Sequence, residues 1–185
     1  IDNKIPFIVV LTGVNRILDS QTSRDMRRQF QEAQLDIHFV DEAGKGAGGV
    51  LGTPDGARQV LEAANDWRMS GGQDGVPICI FLLKNASTMR NLLDVIESLD
   101  PATRSLPVLI IDDEADQAGP DSGKEGQPSE INKCVTRLRA AFCRHNYLLY
   151  TATPQAPLLA HLENALSPDV VTNLEAGEGY VGVQK

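Results

Sequence analysis

Val108-Leu109-Ile110-Ile111-Asp112-Asp113-Glu114-Ala115-Asp116 is an apolar run that closes on a cluster of carboxylates. Such a run reads as a strand buried on both faces of a parallel sheet, delivering its acids to the carboxyl edge. There, one carboxylate can hold Mg²⁺ and its neighbour can orient an attacking water, an arrangement suited to nucleotide hydrolysis. Downstream, Leu148-Leu149-Tyr150-Thr151-Ala152-Thr153-Pro154 is a second apolar strand opening onto two hydroxyls. The phosphate-gripping pattern G-x-x-x-x-G-K-[ST] occurs nowhere in the chain.

Outward from these two stretches, apolar runs alternate with helical patterns, which predicts an α/β fold: a three-layer sandwich around a mainly parallel sheet. Strands are expected at Pro6–Leu11, Asp36–Val40, Pro77–Leu83, Leu106–Ile111, Tyr147–Thr151 and Val170–Asn173. Helices are expected near Thr22–Ala33, Pro54–Arg68, Ser87–Ser98, Glu130–Arg144 and Ala156–Leu166. Met89, Leu92, Leu93 and Ile96 recur at helical spacing and should face the sheet, as should Ile131, Val135, Leu138 and Phe142 behind a Ser129 N-cap. Asp41 to Pro54 and Gly119 to Pro128 are rich in Gly, Pro, Asp and Ser and read as loops. Gly44-Lys45-Gly46-Ala47-Gly48-Gly49 lacks the Lys-Ser/Thr step of a phosphate loop.

The 185 residues, 42% hydrophobic and 23% charged, suit one domain. No apolar stretch approaches the ~20 residues of a membrane span, so no membrane partner is expected and the cytoplasm is the expected location. The start, Ile1-Asp2-Asn3-Lys4, has neither a signal core nor an initiator Met, and the chain is expected to derive from something longer. Cys79, Cys134 and Cys143 lack disulfide-framework or zinc spacing. The net charge of -8 opposes indiscriminate nucleic-acid binding but leaves room for a local basic path. Arg24, Arg27 and Arg28 form one such cluster, and Lys133, Arg137, Arg139 and Arg144 another; solvated helix faces are the plainer account of both.

Within the acidic run, Asp113 is the candidate Mg²⁺ carboxylate and Glu114 the candidate water-orienting base. Asp116 is placed to bond a hydroxyl from the neighbouring strand, carried by Thr151 or Thr153. That contact requires the two strands to be parallel and adjacent.

Asp113-Glu114-Ala115-Asp116 resembles motif II of superfamily-2 helicases, and Thr151-Ala152-Thr153 resembles their motif III. Val9-Val10-Leu11-Thr12-Gly13 with Gln21-Thr22 resembles motif Ia. More closely, the strings Ile110 to Gln117, Tyr150 to Ala156 and Leu174 to Tyr180 resemble the Z-one domain family, large bacterial proteins of restriction and defence whose name includes endonuclease. The resemblance spans nearly all of 1–185. It implies a single partial RecA-like helicase domain, running from motif Ia to beyond motif III and lacking the phosphate-loop strand.

The same resemblance implies that the parent protein uses ATP and Mg²⁺ and acts on DNA. The parent would carry a phosphate loop upstream and a second motor lobe downstream, so the fragment alone is expected to be inactive and to hold no cofactor tightly. Thr12, Gly13, Arg24, Arg27 and Arg28 would then meet the nucleic-acid backbone. The motif III strand, without its phosphate-loop neighbour, would present an edge for Val170–Asn173, another chain or solvent to cover.

Three other classes compete. A receiver domain would need a later phosphoacceptor Asp and a Lys, but no Asp lies between Ile131 and Pro168 and the only Lys after Lys133 is Lys185. A metal-dependent nuclease or phosphohydrolase could be built on Asp112, Asp113, Glu114 and Asp116. A non-catalytic nucleic-acid or protein binding module would keep the motifs as structure only.

Overall fold

The computed structural model describes residues 5–13, 16–41, 50–71, 75–116, 128–153, 166 and 168–172. The elements run β1 (Phe7–Thr12), α1 (Arg16–Glu32), β2 (His38–Asp41), α2 (Pro54–Met69), β3 (Ile78–Leu83), α3 (Ala86–Ser98), α4 (Pro101–Arg104), β4 (Pro107–Asp112), α5 (Glu130–Ala141) and β5 (Arg144–Leu149). Five parallel strands pair in the order β2-β3-β1-β4-β5. The fold is therefore a three-layer α/β sandwich, as the alternation of runs predicts.

The layering follows from strand composition. Phe-Ile-Val-Val-Leu-Thr in β1 and Ile-Cys-Ile-Phe-Leu-Leu in β3 have no polar face to offer water, so they take the centre and are covered on both sides. On one side, Phe7, Val9, Leu11, Ile80 and Ile110 pack with residues of α2, α3 and α5, including Val60, Leu92, Leu93 and Leu138. On the other, Ile8, Val10, Cys79 and Phe81 pack with Met26 and Phe30 of α1.

β5 differs. Its residues alternate between exposed and half-buried. Register with β4 pairs Leu109 with Asn146 and Ile111 with Leu148, so the exposed residues Arg144, Asn146 and Leu148 lie on the α1 side of the sheet. Among the described residues no strand pairs with the outer edge of β5.

Several boundaries depart from expectation. α5 ends at Ala141 rather than Arg144, because Phe142 turns into the core, its ring centroid 5.7 Å from that of Phe7. The strand after it consequently starts at Arg144, the residue expected to close the basic helix; its guanidinium donates to the Ser105 carbonyl at 3.2 Å. α1 begins six residues before Thr22, at Arg16. Asp41, taken for loop, closes β2 opposite Phe81.

α4 was not expected, although Asp100 caps it, accepting from Ala102 and Thr103, and Pro101 fills its first position. Val170 to Thr172 form no strand, and Val170 and Val171 are exposed, so that segment does not cover the β5 edge. The strand propensity of a Val-Val pair is weak and does not by itself bring the segment into a ladder. Asn173, the helix expected from Ala156, the Gly44 to Gly49 stretch and most of the Gly119 to Pro128 loop lie outside the described residues. Among the described residues no helix is long and apolar enough to cross a membrane.

Candidate active site

β3, β1 and β4 end side by side, and the residues at their carboxyl ends are polar yet buried: Lys84, Thr12 and Asp112. Lys84 follows β3 on the face of Leu82, and Asp112 ends β4 on the face of Ile110, so both point toward the α3 and α5 layer. The Lys84 ammonium spans the end of β1. It donates to Asp112 Oδ1 at 2.8 Å and to the Glu114 carbonyl at 2.7 Å. Tyr147 of β5 donates its hydroxyl to Asp112 Oδ2.

Burial pushes the Asp112 carboxyl above the usual carboxylate range, opposed by the Lys84 charge and by the hydrogen bonds from Lys84 and Tyr147. Burial and the nearby Asp112 carboxylate likewise push the Tyr147 phenol well above its ordinary value, so it remains a donor.

Beyond Asp112 the chain turns. Glu114 takes φ +55°, in the left-handed region that residues other than glycine adopt uncommonly. Three backbone bonds fix the turn: Asp113 N–H to the Leu11 carbonyl at 2.9 Å, Ala115 N–H to the Tyr150 carbonyl at 2.9 Å, and Tyr150 N–H to the Asp112 carbonyl at 2.8 Å. Asp113 is half-buried. Its Oδ1 accepts the Glu114 amide at 3.1 Å and its Oδ2 accepts the Thr22 hydroxyl of α1 at 3.0 Å.

At the outer end of the turn, Asp116 accepts the Thr151 hydroxyl at 2.6 Å on one oxygen and the Thr153 hydroxyl at 2.5 Å on the other. These bonds, Thr151 first, hold its carboxyl below the usual range. β4 and β5 are parallel neighbours, which is the relation this contact requires.

Asp113, Glu114, Asp116, Thr151 and Thr153 thus share one sheet edge. The five residues expected to face nucleic acid do not form one surface. Thr12 and Gly13 are buried, and the Thr12 hydroxyl donates to the Leu82 carbonyl at 3.3 Å. The Arg27 guanidinium lies 4.3 Å from the Phe39 ring centroid and 5.6 Å from that of Phe81, packing α1 onto the sheet. Arg24 and Arg28 are exposed, and Arg28 pairs with Asp25 and Glu32 along the helix.

The four carboxylates of 112–116 do not converge. Asp112 is turned to Lys84 and Tyr147 and Asp116 to the two threonines, and no group of three His, Cys, Asp or Glu among the described residues is arranged to hold a metal. A two-metal nuclease centre therefore has too few available ligands here. Asp113 does fit the lesser demand of Mg²⁺ bound by one carboxylate together with nucleotide phosphates.

Sequence reasoning missed Lys84 and Tyr147. A trace of the first was present: two apolar strands end in opposite charges, Leu83-Lys84 and Ile111-Asp112. An open cavity lined by Asp36, His38, Asp66 and Ser70 lies at the opposite, amino edge of the sheet. No protein-family model matches the chain, and no curated protein matches it.

Proposed function

We propose that this chain is part of the first RecA-like lobe of an ATP-driven nucleic-acid motor, from a bacterial restriction or defence protein of the Z-one type acting on DNA in the cytoplasm. The observation that carries this reading is the acidic turn at the carboxyl edge of a parallel sheet, tied through Asp116 to Thr151 and Thr153 just past the end of the adjacent strand. That tie makes the position of the hydrolytic turn dependent on the strand beside it, as coupling of hydrolysis to movement demands.

In this reading Asp113 would hold Mg²⁺ and Glu114 would orient or deprotonate the attacking water. Bound Mg²⁺ supplies neutralisation of the phosphate charge. Thr22 orients Asp113, and the backbone hydrogen bonds from Asp113 N–H to the Leu11 carbonyl and from Ala115 N–H to the Tyr150 carbonyl keep the turn on the sheet edge. The gripping of the phosphates belongs to a loop that this sequence lacks; its strand would pair along the outer edge of β5 and its helix would cover the exposed α1-side face of β5. Arg24 and Arg28 would position the nucleic-acid backbone without reading sequence.

Two measurements test the reading. In a form of the protein that carries a phosphate loop, Glu114→Gln should abolish ATP hydrolysis and leave nucleotide binding intact; undiminished turnover would remove the motor. In this chain, DNA binding should be weak, steeply salt-dependent and reduced by charge reversal at Arg24 and Arg28, whereas Mg²⁺-dependent DNA cleavage lost on Asp113→Asn would favour a nuclease.

A further inference from the structure

A lysine whose side chain is fully buried at the centre of a sheet edge is an expensive residue: its charge is taken out of water, and pairing alone returns little net stability. Lys84 is placed to do something else. It touches two points that bracket Asp113, the carboxylate of Asp112 before it and the carbonyl of Glu114 after it. The second contact matters more. Glu114 sits in the left-handed region, and any return to ordinary backbone angles would swing its carbonyl away from the ammonium.

We propose that Lys84 is a positioning residue for the acidic turn: by gripping Asp112 and the Glu114 carbonyl together, it selects the backbone conformation in which Asp113 and Glu114 face the sheet edge. Its catalytic meaning rests on the motor reading; its conformational meaning does not. Tyr147 holds Asp112 from the other oxygen, at the end of β4.

The test separates position from stability. Replacing Lys84, Asp112 and Tyr147 together (K84M, D112L, Y147F) exchanges the buried charges and phenol for apolar volume, a change that cores tolerate, and leaves only the half-buried Glu114 carbonyl without the Lys84 donor. In this chain the triple variant should remain folded, with protected Val9 and Ile80 amides. The Asp113 and Ala115 amides, which report the turn, should exchange at least about tenfold faster than in the unsubstituted chain. Unchanged protection at Asp113 and Ala115 would overturn the proposal.

Should the triple variant not fold, Asp112→Asn carries the same test. It leaves Lys84 on the Glu114 carbonyl, so turn protection should fall no more than that of the central strands, and selective loss at the turn would overturn the role of Lys84. In a form carrying a phosphate loop, the triple variant should lower kcat about a hundredfold while KM for Mg·ATP shifts less than about threefold. Absence of Glu114-dependent turnover before any substitution would overturn the motor reading and leave the exchange result to decide the conformational role. Full turnover in the triple variant would overturn the positioning role alone.

Discussion

Asp112 and Asp116 end the same acidic turn and are held by opposite means. Asp112 is buried, faces an ammonium and a phenol, and has its carboxyl raised by loss of water. Asp116 is half-exposed, faces two threonine hydroxyls, and has its carboxyl lowered by the bonds they donate. One end is an anchor that belongs to the core, and the other is a contact that water can enter. A turn built in this way is fixed where it leaves β4 and adjustable where it meets β5. That asymmetry is what a hydrolytic turn linked to a moving neighbour would need.

The largest expected effect breaks the anchored end. Lys84→Met alone leaves Asp112 buried without its countercharge, and should cost about 3–5 kcal/mol of unfolding free energy, a large share of what a domain possesses. Denaturant titration of the variant against the unsubstituted chain measures it, with the slope checked for constancy. A loss below about 1 kcal/mol would mean that water reaches Asp112 and that the anchored end resembles the open one.

How much of this contrast was legible beforehand differs by end. The Asp116 contact could be read from sequence, because an acid just past one strand and hydroxyls just past the next need only adjacency of the two strands to meet. The Lys84 contact could not. The pair is 28 positions apart, and β1, far earlier in the chain, lies between their strands, so the sheet order had to be known first.

Arg27 was misjudged for a related reason. Three arginines on one helix read as a basic face, and only the aromatic pair beneath α1, Phe39 from β2 and Phe81 from β3, turns the middle one inward. Arg144 reads as a helix end and the strand is expected only from Tyr147, because strands of a parallel sheet are expected to be apolar on both faces, whereas β5 is covered on one. The order of most elements was plain from the runs, since β1, β3 and β4 carry no competing period.

A smaller effect is expected at the adjustable end. Thr151→Val with Thr153→Val removes both donors from Asp116 but leaves its carboxylate beside water, so the loss should be about 1 kcal/mol, well below that of Lys84→Met. The difference sharpens the comparison if amide exchange at Ala115 also rises only modestly, because its bond to the Tyr150 carbonyl survives the substitution. A cost equal to that of Lys84→Met would show that the turn is anchored at both ends and would remove the adjustable element from the motor reading.

The smallest expected effect is in acid, where the two ends should respond with opposite sign. Asp116 has a folded-state value below that of the unfolded chain, so the stability it contributes is complete above the ordinary carboxylate range and is lost as pH falls through the lowered folded value. Asp112 has a folded-state value above that of the unfolded chain. Its contribution therefore declines as pH rises from the unfolded value through the raised one, and acidification alone does not release it.

Carboxyl-carbon NMR titration resolves the two individually. In the Thr151→Val, Thr153→Val variant the Asp116 midpoint should rise toward the ordinary value, because both bonds that favour its charged form are gone, while the Asp112 midpoint stays in place. In Lys84→Met, under conditions where it remains folded, the Asp112 midpoint should climb further and that of Asp116 should change little. Joint movement of both midpoints in either variant would mean that the charges communicate through the turn, and that its anchored and adjustable ends are a single unit.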